Sequence, residues 1–485
     1  MGHWAKYAQQ ATFLYLAIKT LASPDLDDCI AAIATPPGAG ALGVIRLSGK
    51  GAFRIGGSLF RGASLSEARS HTIHVGTLHD VDGRLLDEVV ALVFRGPQSY
   101  TGEDVLEFSC HGSPYVLEQV LQGLLRQGAR LARPGEFTLR AYLNGRIDLS
   151  QAEAVGDLIA ATTAGEHRFA LQQLRGGISR EMGVLRQKLL DFASLIELEL
   201  DFGEEDVAFA DRSELIRLVD HIADRLQPLL ESFSWGNAVK EGVHTVIAGR
   251  PNAGKSTLLN ALLDESRAIV SEMAGTTRDT IESNLVIGGI RFRLVDTAGI
   301  RSDPDGLEAL GIERTRAELT RARLVLYVFD VAVTRAEEVL ADVEGWLGSG
   351  CKVLLVANKM DLHPYATFDQ FFAKGVGGLL ADQWVPVSAR NDMNVSFLKE
   401  RLRDFVLADA QHPDATVVTN ARHYEALLRV MESMDAVREG LASGISGDFL
   451  AMDIRRAIHW LGEITGKMGV EDLLGHIFSK FCIGK

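Results

Sequence analysis

Val243-His244-Thr245-Val246-Ile247-Ala248, followed by Gly249-Arg250-Pro251-Asn252-Ala253-Gly254-Lys255-Ser256, decides the fold of the middle of this chain. The first six residues are apolar and β-rich and read as a buried strand. The next eight fit G-x-x-x-x-G-K-[ST]. Ser256-Thr257-Leu258-Leu259-Asn260-Ala261-Leu262-Leu263 then reads as the start of a helix. Strand, glycine loop and helix in that order form a phosphate cradle, because loop N–H groups and the helix N-terminus both face an anion. Lys255 is expected to reach the β- and γ-phosphates and Ser256 to hold Mg²⁺. Asn252, Ala253, Gly254 and Thr257 complete the loop around the nucleotide.

Downstream, Asp296-Thr297-Ala298-Gly299 follows the strand-like run Phe292–Val295, where a Mg²⁺ and γ-phosphate sensor belongs. Asn358-Lys359-Met360-Asp361 follows the strand-like Val353–Ala357. Asp361 can accept two hydrogen bonds from the N1–H and N2–H₂ edge of guanine. Adenine offers no such pair, so a buried carboxylate there selects against ATP. Ser388-Ala389-Arg390 after Trp384–Val387 fits the last guanine-contacting loop. Gly275-Thr276-Thr277-Arg278-Asp279 supplies Thr277 as the second side-chain Mg²⁺ ligand in the GTP state. These motifs, in this order and at strand ends, imply a GTPase.

A chain of 485 residues exceeds one core, and the GTP-binding unit, 243–405, takes a third of it. Apolar content of 47% and charged content of 24% are those of an ordinary soluble globular protein. The net charge of −14 argues against broad electrostatic capture of nucleic acid, though not against a local basic patch. Cys29, Cys110, Cys351 and Cys482 show no C-x-x-C pairing, which points to a reducing, cytoplasmic setting and no zinc site. No apolar run is long enough to cross a membrane. In residues 1–27 the run Phe13–Ile18 is ended by Lys19, too short for a signal peptide, and a mobile extension is expected.

Residues 28–148 alternate β-rich runs (Ile33, Val44-Ile45, His74-Val75, Val89–Phe94) with turns and one helical stretch, Val116–Gln127, and read as an α+β domain. From Leu149 the pattern turns helical. Met182, Leu185, Leu189, Phe192, Ile196 and Leu200 mark one apolar helix face. Asp211-x-x-Glu214 resembles a capping box before Leu215, Leu218, Ile222 and Leu226. Residues 419–440, 447–465 and 470–480 are helical again. The expected organisation is a helical domain, 149–242 and 406–485, interrupted by a G domain.

The chain resembles the MnmE/TrmE family of tRNA-modification GTPases. The likeness rests on Ile30–Gly38 (IAAIATPPG), Gly43–Gly49 (GVIRLSG), Ser99–Gly112 (SYTGEDVLEFSCHG), Arg133–Ile159, the G motifs and the terminal Phe481–Lys485 (FCIGK). It departs from the family in the extension 1–27 and at Ala39 and Ala41, where the N-terminal loop is usually richer in Arg and Gly. The resemblance implies a multidomain protein: an α+β folate-binding-like and dimerising N-terminal domain, a helical central domain, and an inserted Ras-like α/β P-loop domain. It implies a homodimer that joins an FAD-dependent MnmG-type partner in a heterotetramer, with tRNA as substrate. C5 of the wobble uridine, position 34, would be modified with a one-carbon unit from a reduced folate (5-formyl- or methylene-tetrahydrofolate). Arg46, Glu107, Arg146 and Lys485 would contact the folate. Arg146 stands where some members carry Lys.

The resemblance also bears on hydrolysis. A Gln directly after the DTAG motif orients water in Ras-like enzymes, but here that position is Ile300. Arg250, Arg278 and Arg301 lie nearby and read as surface or loop-stabilising residues. By resemblance, Asn252 helps coordinate K⁺ between the β- and γ-phosphates. Ser271, Met273 and Thr276 would complete the K⁺ shell from the Ser271–Thr277 loop, which also touches GTP. Glu308 would orient the water through a bridging water. Cys482 is placed near the folate and is implied to be needed for modification; by composition alone it reads as a core residue or stray thiol. The alternative reading is a regulatory or ribosome-assembly GTPase acting only as a switch, which would need neither Arg46 and Glu107 nor FCIGK. A scaffold with a decayed site is opposed by intact Lys255, Ser256, Asp296 and Asp361.

Overall fold

The computed structural model describes residues 27–201, 212–264, 282–296, 318–347, 351–372, 379, 381–407, 416–467 and 484. Its N-terminal part holds β1 (Ile30–Ile33), β2 (Leu42–Ser48), α1 (Ala52–Leu59), β3 (Phe60–Arg61), β4 (Thr72–His79), β5 (Leu85–Phe94), β6 (Val105–His111), α2 (Pro114–Arg126), β7 (Arg130–Leu131) and α3 (Glu136–Leu143). The sheet order is β3-β4-β5-β6-β2-β1-β7, antiparallel except where β7 joins β1. Period-two alternation sets its two faces. Ile45, Leu47, Ala91, Val93, Leu106 and Phe108 form a core with Ile55, Leu59, Val120 and Leu124 of α1 and α2. Arg46 and Glu107, one residue out of step, fall on the other face.

An ion network closes the edge of this domain. Arg140 of α3, only 1% exposed, donates to the backbone carbonyl and carboxylate of Asp28 and to Glu103 and Glu136. Arg130 also pairs with Asp28 and Glu136. A buried guanidinium is tolerated because several carboxylates surround it.

Four helices follow: α4 (Leu149–Ala160), α5 (Ala164–Leu174), α6 (Gly177–Asp201) and α7 (Arg212–Glu241). On α6 the expected face is buried at Met182, Leu185, Leu189, Phe192 and Ile196. On α7 the buried seam runs Leu215, Val219, Ile222, Leu226, so Val219 takes the place expected for Leu218, which is half-buried. The i, i+4, i+7, i+11 spacing explains the choice, since Val219 lies directly over Leu215 and Ile222. Asp211 lies outside the described residues.

The P-loop region contains β8 (Val243–Ala248), α8 (Lys255–Asp264), β9 (Glu282–Ile287), β10 (Ile290–Asp296), β11 (Leu324–Asp330), α9 (Ala336–Val343), β12 (Lys352–Asn358), α10 (Phe368–Phe371), β13 (Trp384–Pro386) and α11 (Val395–Leu407). The order β13-β12-β11-β8-β10-β9 is parallel except for β9, the topology of a doubly wound α/β unit. Two further helices, α12 (Ala421–Ala442) and α13 (Gly447–Thr465), come after it. The expected helix 470–480 lies outside the described residues. Among the described helices none is long and apolar enough to cross a membrane.

By contact density the chain forms two compact units. The first comprises residues 1–160, 170–222 and 426–485. Within it α13 packs along α6, Arg455 pairs with Glu197, and the Tyr142 hydroxyl donates to the Gly466 carbonyl at 2.6 Å. The second comprises residues 161–169 and 223–425. In it the start of α5 grips the β9–β10 turn: Arg291 donates to the buried Glu166 carboxylate, and a Cβ on Gly165 would stand 2.6 Å from the Gly289 carbonyl.

Candidate nucleotide site and N-terminal charged pair

The nucleotide loop is built from backbone that only particular residues adopt. Gly249 has φ +144°, and a Cβ there would meet the Val328 carbonyl at 2.0 Å. Gly254 has φ +92°, and its Cβ would lie 2.3 Å from Asn358 Nδ2. Both positions demand glycine. Asn252 is left-handed at φ 63°, a conformation Asn tolerates. Lys255 is buried and curls over its own loop, donating to the carbonyls of Gly249 (2.9 Å) and Arg250 (3.0 Å). Ser256 Oγ donates to Asp296 Oδ2 at 3.0 Å. Two hard oxygen ligands therefore converge at the head of α8 and the end of β10, a donor set that suits Mg²⁺.

Asn358 sits at the centre of the base side. Its Nδ2 donates to the Ala253 carbonyl at 2.8 Å, and its Oδ1 accepts from the Ala389 N–H at 3.0 Å. One side chain, 2% exposed, thus joins the phosphate loop to the Ser388–Arg390 loop. Ser388 Oγ donates to Asp361 Oδ1 at 2.6 Å, which orients that carboxylate. Lys359, at φ 64°, spans to Asp330 at 2.8 Å. Asp330 ends β11 and carries no motif of its own; only the strand order places it beside Lys359. Thr257 and Arg390 are exposed at the same rim. The structure therefore brings together Asn252 to Thr257, Asp296, Asn358, Lys359, Asp361 and Ser388 to Arg390. Ser271, Met273, Thr276, Thr277, Thr297, Ala298, Gly299 and Glu308 lie outside the described residues.

In the N-terminal domain the β2–β6 register sets Arg46 opposite Glu107, and Arg46 Nε donates to Glu107 Oε1 at 2.6 Å. The Arg46 guanidinium also lies 5.4 Å from the Tyr100 ring centre and 5.6 Å from that of Phe137. Tyr100 is fixed by a hydroxyl contact with Thr138 at 2.8 Å. Burial pushes its phenol upward, which keeps it neutral. Arg146 Nε donates to the Ser99 carbonyl at 3.1 Å, so Arg46 and Arg146 flank one loop, Ser99–Tyr100. Sequence alone missed Tyr100 and Phe137 as partners; the alternation of β2 was the available signal. Gly484 is buried, and a Cβ on it would stand 2.5 Å from the Ile33 carbonyl. Gly484 therefore lies against the end of β1, whose Ala32 is paired with Arg46. Cys482 and Lys485 are outside the described residues. Cys29 and Cys110 are core thiols whose burial pushes them up to about 12.

The family model for the MnmE helical domain matches residues 149–482, and that for the GTP-binding protein TrmE N-terminus matches residues 29–146. This chain belongs to the MnmE family of tRNA-modification GTPases. A relative from Cytophaga hutchinsonii, named tRNA modification GTPase MnmE, is 50% identical over 94% of this chain and 98% of its own length. One of the same name from Christiangramia forsetii is 48% identical over 95% and 100%. Among solved structures, the G domain of FeoB from Methanococcus jannaschii is matched at 25% identity and a TM-score of 0.24, over 33% of this chain and 96% of that one. As an MnmE-family chain the protein carries all three expected parts: an α+β N-terminal domain, helices, and an inserted P-loop α/β domain.

Proposed function

We propose that this MnmE-family GTPase modifies C5 of the wobble uridine of certain tRNAs, as a homodimer acting with an FAD-dependent partner and a reduced folate as one-carbon source. The observation that carries the nucleotide half is the Asn358 bridge together with the Ser388–Asp361 contact. Ser388 orients the Asp361 carboxylate, and its remaining lone pairs are available to both donors of the guanine edge. Lys255 would neutralise the β- and γ-phosphates, and Ser256 and Asp296 would hold Mg²⁺, which would supply charge stabilisation to the phosphates. Ile300 stands where Ras-like enzymes carry a water-orienting Gln, and the family resemblance assigns that task to Glu308. By the family resemblance, Asn252 and oxygens of the Ser271–Thr277 loop would hold K⁺, which would supply the positive charge that an arginine finger supplies in other GTPases.

The N-terminal half of the reading rests on the Arg46–Glu107 pair, packed against Tyr100 and Phe137. A guanidinium between two rings and a carboxylate is preorganised to meet a flat, polar ligand edge. Arg146 and the tail lysine, Lys485, would meet its anionic end, with Cys482 beside the one-carbon unit. The buried position of Gly484 against β1 supports this placement. The test is GTP turnover in K⁺ and in Na⁺ at equal ionic strength, paired with binding of 5-formyl-tetrahydrofolate to the whole chain. Faster turnover in K⁺ and saturable folate binding are expected. Equal rates, or no folate binding, would defeat the corresponding half.

A further inference from the structure

Arg250 follows the first glycine of the phosphate loop, yet its guanidinium does not turn toward the nucleotide side. It reaches across to α9. Nη1 donates to Glu338 Oε1 (2.5 Å), Nε to Asp342 Oδ2 (2.7 Å) and Nη2 to Asp342 Oδ1 (3.2 Å). The grip on Asp342 is a two-pronged guanidinium–carboxylate pair, the geometry that adds direction as well as energy. Asp342 is itself fixed from below, because the buried Tyr327 hydroxyl of β11 donates to it. Tyr327 holds its proton: burial and the neighbouring carboxylate both push it upward.

The backbone of the same residue does separate work. The Arg250 carbonyl, with that of Gly249, receives the Lys255 ammonium. The loop therefore has two anchors, one for each half. Asn358 holds the second half through the Ala253 carbonyl. Arg250 holds the first half, through α9. Neither Gly249 nor Pro251 has a side chain that can hydrogen-bond in its place, and Pro251 also lacks an N–H.

We propose that Arg250 is a positioning residue for GTP hydrolysis: its clamp on Glu338 and Asp342 fixes the two carbonyls that aim Lys255 at the β- and γ-phosphates. The inference rests on the GTP-binding reading above. It differs from an arginine finger, since the side chain acts through the loop and not on the phosphate.

Lys255 reaches the γ-phosphate as well as the β, so a loosened loop penalises GTP more than GDP. General destabilisation would penalise both alike. The experiment measures GTP and GDP affinity on the full chain with fluorescent nucleotides, for wild type, Arg250→Ala, Arg250→Lys, Asp342→Asn and the Arg250→Ala/Asp342→Asn double variant. Arg250→Ala should weaken GTP about tenfold and GDP by no more than about threefold, a modest effect because the pair is part-exposed. Arg250→Lys keeps the charge but loses the fork, and should fall between wild type and Arg250→Ala. Asp342→Asn should act in the same direction, and the double variant should be no worse than Arg250→Ala, because both break one link. Equal loss for GTP and GDP, wild-type affinities in Arg250→Ala, or additive losses in the double variant would each overturn the proposal. If Arg250→Ala does not fold, Arg250→Lys and Asp342→Asn decide it alone by the same GTP-to-GDP ratio. Failure of the wild type to bind GTP would instead overturn the underlying reading.

Discussion

The nucleotide end of the P-loop sheet and the second face of the N-terminal sheet both gather charged side chains, but they do so differently. At the nucleotide end the groups are held by a frame. Lys255 rests on carbonyls, Asn358 bridges two loops, and Asp361 is held by a serine. On the N-terminal face the groups hold each other: Arg46 spends its charge on Glu107 and its planar surface on Tyr100 and Phe137. A side chain that rests on such a frame without building it, as Asp361 does, can be lost while the frame keeps its shape. A self-paired site leaves a bare charge when either partner goes. Replacing such a resting side chain should therefore act locally at the first site, whereas substitutions at the second should act reciprocally.

The largest effect should come from Asp361→Asn, which mispairs a charged acceptor and should weaken GTP by about 2–4 kcal/mol. The frame survives, so xanthine nucleotides should bind in its place. Unchanged GTP affinity would remove Asp361 from the site. Next, Glu308→Ala should slow turnover by roughly 10²-fold with nucleotide affinity nearly intact, the pattern of a group used only in the transition state. A matching loss of affinity would make Glu308 a binding residue instead.

At the self-paired site, Arg46→Ala and Glu107→Ala should each reduce folate affinity by about tenfold, a typical value for one lost charge-assisted contact. Both should leave GTP turnover untouched, because Arg46 and Glu107 belong to the first compact unit and the P-loop sheet to the second. If the double variant lost as much as the two singles added together, the residues would act independently and the comparison would break.

The smallest and most general effect concerns acid. Burial alone would raise Asp28 and Glu136, but at Asp28 the hydrogen bonds from Arg130 and Arg140 outweigh it, and at Glu136 those from Arg130 and the Arg133 N–H do so. Both carboxyls end below their ordinary values. A carboxyl lowered on folding contributes stability that is present above the unfolded value, near 4, and lost as pH falls through the folded value. The N-terminal unit should therefore melt at lower temperature as pH drops below about 4, ahead of any change between pH 5 and 8. Calorimetry across that range checks this, and a flat profile down to pH 3 would contradict it.

The nucleotide site was legible because its motifs are local and sit at strand ends, where a short stretch fixes both the element and the side chain. The strands that run into the motifs, Val243–Ala248, Ile290–Asp296, Lys352–Asn358 and Trp384–Pro386, were legible as apolar runs, whereas Glu282–Ile287 and Leu324–Asp330, which lead into no motif, were not read. Partners distant in sequence were not. Glu338 lies 88 residues from Arg250, and nothing in either stretch announces the pair. Asp330 meets Lys359 only because β11 and β12 are neighbours. Arg46 and Glu107 were visible as charges on strands, but their contact depends on the β2–β6 register. The grip of Glu166 on Arg291 follows from tertiary packing of a helix start whose local pattern says only that it is helical.

The most direct measurement is nucleoside mass spectrometry of tRNA from a strain lacking this gene, complemented by wild type, Asp361→Asn or Arg46→Ala, alongside GTP turnover of the purified proteins. The account predicts that the C5-modified wobble uridine disappears in the deletion and returns with wild type. It also predicts that Arg46→Ala restores less modification than wild type although that protein hydrolyses GTP at the wild-type rate. Unaltered wobble uridines in the deletion strain, or full modification with Arg46→Ala, would contradict it.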